Sequence, residues 1–220
     1  MSNPTIKTCQ EVLVSAKKAC PSYLKKLMSI GYGSAPRSLD PYSGACIQLQ
    51  GADKLMYATS LLRNVEITSV AYIGAYPEYY LSMCSKIQEN QIEEVFLLDS
   101  SMELLDKTHW NIKNMLKNSQ KWFLQNDYNN WLLEKDSVDL LVINDNLNLN
   151  FSSDLSKTVN DMTSSLKENG NLLGMSTSMA CVDEIKHAAL DNKLDMEVIE
   201  IEQNVHYPNN LFLYGISKRD

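Results

Sequence analysis

Apolar residues recur along this chain with two periods, one helical and one of strands, and each change of period marks the end of an element. From Thr8 to Ile30, Val12, Leu13, Ala16, Leu24, Leu27 and Met28 fall at helical spacing. Pro21 divides this stretch into two helices, with Ser22 opening the second. Gly31–Gly44 is rich in Gly, Ser and Pro. A loop of that length reads as a lid or contact surface, and equally as a linker. Ala45–Arg63 returns to helical spacing through Ile47, Leu55, Met56, Leu61 and Leu62, with a weak point at Gly51. A main domain begins near Val65, which gives an N-terminal helical extension, 1–64, and an α/β domain, 65–220.

In that domain strands and helices alternate. Ile67–Gln91 reads as a strand, a tight turn at Gly74 and a helix; Val95–Asp99 is a second strand ending in an acid. Ser100–Lys117 is a predicted helix, and Lys121–Gln125 a short strand. Val138–Ile143 is an unbroken apolar run of the kind that suits a central parallel strand covered on both faces. A helix over Leu155–Leu166 is expected to stop at Asn169-Gly170, followed by a fifth strand, Asn171–Met175, and a helix, Asp183–Leu190. Asp195–Glu202 alternates with period two, and Leu211–Ser217 is the last strand. The short link between these two makes them antiparallel neighbours. The prediction is an α/β Rossmann-like sandwich: a mostly parallel seven-stranded sheet with a C-terminal antiparallel pair.

Composition narrows the chemistry. A net charge of −7 over 220 residues argues against nucleic acid as a partner through a general basic field. Lys17, Lys18, Lys25 and Lys26 read as the wet side of a helix. No apolar run approaches the roughly 18 residues that span a bilayer, so no membrane span is expected. The N-terminal residues show neither an apolar signal core nor an Arg-rich transit pattern. Five scattered cysteines without a CxxC pair fit free thiols in a reducing, intracellular compartment. His109, His187 and His206 lack metal-ligand spacing, so no metal site is expected. Cys181 reads as a buried inert thiol, and Trp110, Trp122 and Trp131 as core and loop packing.

Several blocks carry a resemblance. FLLDSSMELLDK (Phe96–Lys107), QNDYNNWLLEKDSVDLLVIND (Gln125–Asp145), DLSKTVNDMTSSLKENGNLLGMS (Asp154–Ser176) and ALDNKLDMEVIEIE (Ala189–Glu202) occur in order and at natural spacing. They resemble the successive blocks of class I S-adenosylmethionine (SAM)-dependent methyltransferases, over about Val65–Arg219. The nearest patterns are the carrier-protein methyltransferases of biotin synthesis and the methyltransferase-like assembly factors of mitochondrial complex I. The resemblance implies the class I fold and places Gly74, Tyr76, Asp99 and Asp127 at cofactor positions. It also implies SAM as the ligand if one is bound, and offers a mitochondrial location beside a cytoplasmic one. Asn144 and Asp145, after the fourth strand, stand where an active member would orient a substrate amine and hold a base. Asp99 is equally readable as the N-cap of the next helix.

The first block departs from the family. An acid two residues before the first glycine, then alternating glycines, is the family's pattern; here the residues are Tyr72, Gly74, Tyr76 and Glu78. Tyr76 takes space that glycine leaves open, Pro77 removes a backbone N–H, and Glu78 repels a ligand carboxylate. The expectation is therefore a catalytically degenerate methyltransferase fold, a pseudoenzyme without cofactor, acting as a scaffold or assembly component. Its protein partner would be met through residues 1–64. The alternative is an active SAM-dependent enzyme with a divergent loop.

Overall fold

The computed structural model describes residues 9–18, 55, 67–74, 92–112, 117–126, 129–144, 153–201 and 210–218. Its elements are α1 (Cys9–Lys18), β1 (Ser69–Ile73), β2 (Glu94–Asp99), α2 (Met102–Ile112), β3 (Gln120–Gln125) and β4 (Val138–Ile143). They continue with α3 (Leu155–Ser164), β5 (Leu166–Ser176), α4 (Met179–Asp191), β6 (Met196–Ile201) and β7 (Leu211–Ser217). The seven strands form one sheet in the order β3-β2-β1-β4-β5-β7-β6. β1 to β5 run parallel, while β7 is antiparallel to both β5 and β6. The mostly parallel sheet with its antiparallel C-terminal pair is as the sequence predicts.

β1 and β4 are central, and their side chains are apolar and buried on both faces, apart from Ser69 and Asp139 at their amino ends. One face carries α3 and α4. Val159, Met162, Val182, Ile185 and Ala189 pack there with Ala71, Leu141, Leu172 and Tyr214. Burying each of the larger of these side chains contributes about 1.5–3 kcal/mol. α2 buries Leu105 and Ile112, and its His109 ring lies 4.8 Å from Phe123 of β3. α1 lies against β6 and β7 and buries Val12, Leu13 and Ala16.

The helix starts follow capping chemistry. Asp154 caps α3 by accepting from Lys157 N at 2.9 Å, and Ser178 caps α4 by accepting from Cys181 N. The Ser178 cap begins α4 at Met179, four residues before the sequence reading placed it. A larger correction concerns Asn169-Gly170. The α3 helix already ends at Ser165, and Leu166 pairs with Val138, so β5 starts there. Asn169 and Gly170 form a bulge inside the strand, between the Val138–Leu166 and Leu140–Asn171 pairs. Asn169 has a left-handed φ of 60°, which asparagine tolerates better than most residues. The turn signal is real, but it serves a bulge.

The tryptophans also divide. Trp131 packs on the core and donates Nε1–H to Ser165 Oγ at 2.7 Å. Trp110 and Trp122 are 69% and 41% exposed, so neither is a core residue.

Candidate functional site

The parallel strands bring their carboxyl ends to one edge of the sheet, and the strand order reverses between β1 and β4. In open α/β sheets the crevice at that reversal is where ligands bind. Three of the predicted residues meet there. Gly74 follows β1, Asp99 ends β2, and Asn144 follows β4. Asn144 is fully buried, and its N–H donates to the carbonyl of Ile73 at 2.8 Å, closing β1 onto β4 just before Gly74. Gly74 has a φ of 120°, a backbone conformation that a side chain would strain. Tyr76, Asp127 and Asp145 lie outside the described residues.

Asp99 does not cap α2. That role falls to Ser101, whose Oγ accepts from Leu104 N at 3.3 Å and whose carbonyl accepts from Leu105 N at 3.1 Å. Asp99 instead folds back on the turn, with Oδ1 accepting from Ser101 N at 2.8 Å. Burial pushes its pKa up, against the opposing pull of the Ser101 and Ser100 backbone N–H groups. The result is a half-buried carboxyl at the tip of β2 that is harder to ionise than an ordinary aspartate.

A small hollow of about 10 Å³ opens beside it, lined by Tyr72, Gly74, Leu97, Asp99, Leu105 and Thr108, among others. That is room for a water molecule. Tyr72, where the resemblance wants an acid, is 1% exposed and held within β1 between Leu97 and Val142. The described residues thus offer the two contacts expected of a SAM site, a glycine and a ribose-side acid.

Sequence reasoning missed Asn126. It is buried at the end of β3; its N–H donates to Asp99 O at 2.9 Å and its Oδ1 accepts from Leu132 N at 3.0 Å. It fixes the tip of β2 to the segment after β3. Only its place in an asparagine-rich run hinted at this. Cys181 is buried, and burial pushes its thiol pKa up, with the charge of Glu184 adding to the shift. That keeps it protonated and a poor nucleophile. Among the described residues, no three His, Cys, Asp or Glu side chains gather as a metal site. No helix among them is long and apolar enough to cross a membrane.

No protein-family model matches the chain, and no curated protein does. Its fold does match solved structures. The CurJ carbon methyltransferase aligns with a TM-score of 0.62 at 12% identity, over 96% of this chain and 68% of its own. The N-methyltransferase NodS from Bradyrhizobium japonicum, in complex with S-adenosyl-L-homocysteine, aligns with a TM-score of 0.56 at 12% identity, over 97% and 100%. The tRNA methyltransferase TrmI from Aquifex aeolicus gives 0.55 at 14% identity, over 97% and 77%. Strand order and these likenesses together give this chain the class I SAM-dependent methyltransferase fold.

Proposed function

We propose that this protein is a methyltransferase fold that has lost tight hold of its cofactor and serves as a scaffold or assembly component of a larger protein complex. The observation that carries this reading is Tyr72. A buried aromatic side chain stands where the family's first block has an acid. The sequence beyond Gly74 points the same way: Tyr76, Pro77 and Glu78 remove two glycines and a donor and add a negative charge. The partner-facing part is residues 1–64. Within it, α1 commits Val12, Leu13 and Ala16 to its own packing and turns Val14 outward.

A second reading is favoured by one observation, that Gly74 keeps a φ of 120° beside an acid at the tip of β2. In that reading the protein is an active SAM-dependent methyltransferase. Gly74, Tyr76, Asp99 and Asp127 would hold the cofactor, with Asn144 or Asp145 near the methyl acceptor. Calorimetric titration with SAM and with S-adenosylhomocysteine separates the two. The scaffold reading predicts no heat of binding at millimolar ligand. Micromolar binding that Asp99→Asn weakens at least about tenfold overturns it in favour of the enzyme.

A further inference from the structure

β3 is one of the two outer strands of the sheet, and among the described residues it pairs with β2 alone. Gln120 N donates to Glu93 O at 2.7 Å, and Asn126 N donates to Asp99 O at 2.9 Å. The even-numbered positions therefore turn their backbone groups toward β2. Alternate residues of a parallel strand turn theirs the other way, and Phe123 is the middle residue of that outward set.

The middle of this edge, Trp122 to Leu124, is apolar, between Gln120 and Lys121 on one side and Gln125 on the other. Trp122 is exposed and stacks on Phe96 of β2, with ring centroids 6.4 Å apart and planes 11° from parallel. On the opposite face His109 sits against Phe123, and the next residue, Trp110, is the most exposed large apolar side chain among the described residues. An exposed tryptophan thus stands on each side of the edge. Lys121 is the single charged residue of the strand. The other outer strand, β6, is protected differently: it carries Glu197 and Glu200 and has α1 packed against it. Charges and a covering helix are how outer strands avoid pairing with other chains. β3 has one lysine and no proline.

We propose that β3 is the seam of a two-fold homodimer, in which the strand pairs antiparallel with its own copy, Phe123 opposite Phe123, to make one continuous sheet. Directly opposed residues share a face of the sheet, and a register centred on Phe123 satisfies this. Trp122 of each copy then stands beside Leu124 of the other, apolar against apolar. Lys121 stands beside Gln125, so the strand's one charge meets a neutral amide and the two lysines lie at opposite ends of the seam. This near-palindrome of side-chain type about Phe123 singles out a second copy as the occupant. The inference stands apart from the cofactor question.

Sedimentation velocity of the full chain tests it. The wild type is expected to sediment as a dimer at micromolar concentration. Trp122→Glu places an acid in the seam, and Gln125→Pro removes an outward N–H and the exposed side-chain bond to Ser100 O while leaving the backbone bonds to β2 in place. Each should weaken dimerisation at least about tenfold, with far-UV circular dichroism unchanged, whereas Glu200→Lys on β6 should leave it intact. Amide exchange gives a readout that does not depend on the variants, since Phe123 N–H should lose protection on dilution to monomer. The proposal is overturned by a wild type that stays monomeric up to its solubility limit. A dimer that survives both β3 variants overturns it too, as does one that Glu200→Lys breaks instead.

Discussion

At the amino ends of β1 and β4 a single carboxylate oxygen, Asp139 Oδ2, accepts five hydrogen bonds: from Thr68 N and Oγ1, Ser69 N and Oγ, and Lys167 Nζ, all within 3.1 Å. At the carboxyl ends the corresponding acid, Asp99, accepts from the backbone of its own turn and sits beside a hollow. Burial acts to raise both carboxyls. For Asp139 the bonds from Ser69, Thr68 and Lys167 outweigh it and hold the pKa below the ordinary value; for Asp99 burial wins and the pKa rises. One end of the sheet is knotted for stability. The other keeps a half-buried carboxyl whose surroundings do not favour its charge.

The largest effect should come from cutting the knot. Asp139→Ala strands donors on Thr68, Ser69 and Lys167 and should cost about 3 kcal/mol in chemical denaturation. A loss below about 1 kcal/mol would mean the five bonds are largely replaced by water. Gly174→Ala comes next. An added Cβ would overlap the ring of Tyr214, its cross-strand partner on β7, which is fully buried and cannot swing away. Overpacking of this kind costs about 1–3 kcal/mol, read as a lower denaturation midpoint; an unchanged midpoint would show that β5 and β7 can part locally.

Smaller changes sharpen the contrast between the ends. Lys167 is partly exposed, so Lys167→Met should cost under about 1 kcal/mol. Asp99→Asn removes an acid the fold does not favour in its charged form and should leave stability unchanged or raise it, by about 0.5 kcal/mol at most. The pH dependence follows with opposite signs. Asp139 is depressed, so its contribution is present above the unfolded-state value of about 4 and is lost as pH falls through its lower folded value. Asp99 is raised, so its effect is a fall in stability as pH climbs from about 4 to its higher folded value. Asp139→Ala should therefore flatten the acid limb of the stability curve, and Asp99→Asn should remove the decline just above it.

Which end was legible in the sequence follows from how local each signal is. Val138–Ile143 and Leu211–Ser217 were read with their observed bounds because each is a buried apolar run between polar breaks. The resemblance assigns Gly74, Asp99 and Asn144, and the α/β layout sends all three strand tips to one edge. Asp139 was not, since its donors on Thr68 and Ser69 lie about 70 residues away and nothing near it in the chain marks it. Asn169-Gly170 misled because helix stops and strand bulges ask for the same left-handed backbone. The exposure of Trp122 could not be read from spacing, because an alternating pattern does not reveal which strand of a sheet lies outermost.

Amide hydrogen exchange at the two ends, with and without millimolar S-adenosylhomocysteine, tests the central claim most directly. The account predicts that Thr68 and Ser69 N–H exchange slowly in both conditions. It also predicts that Ser101, Asn126 and Asn144 N–H, at the strand tips, exchange at rates the ligand does not change. Ligand-induced protection of Ser101 and Asn126 would contradict it, because the cleft would then still hold the cofactor of its fold.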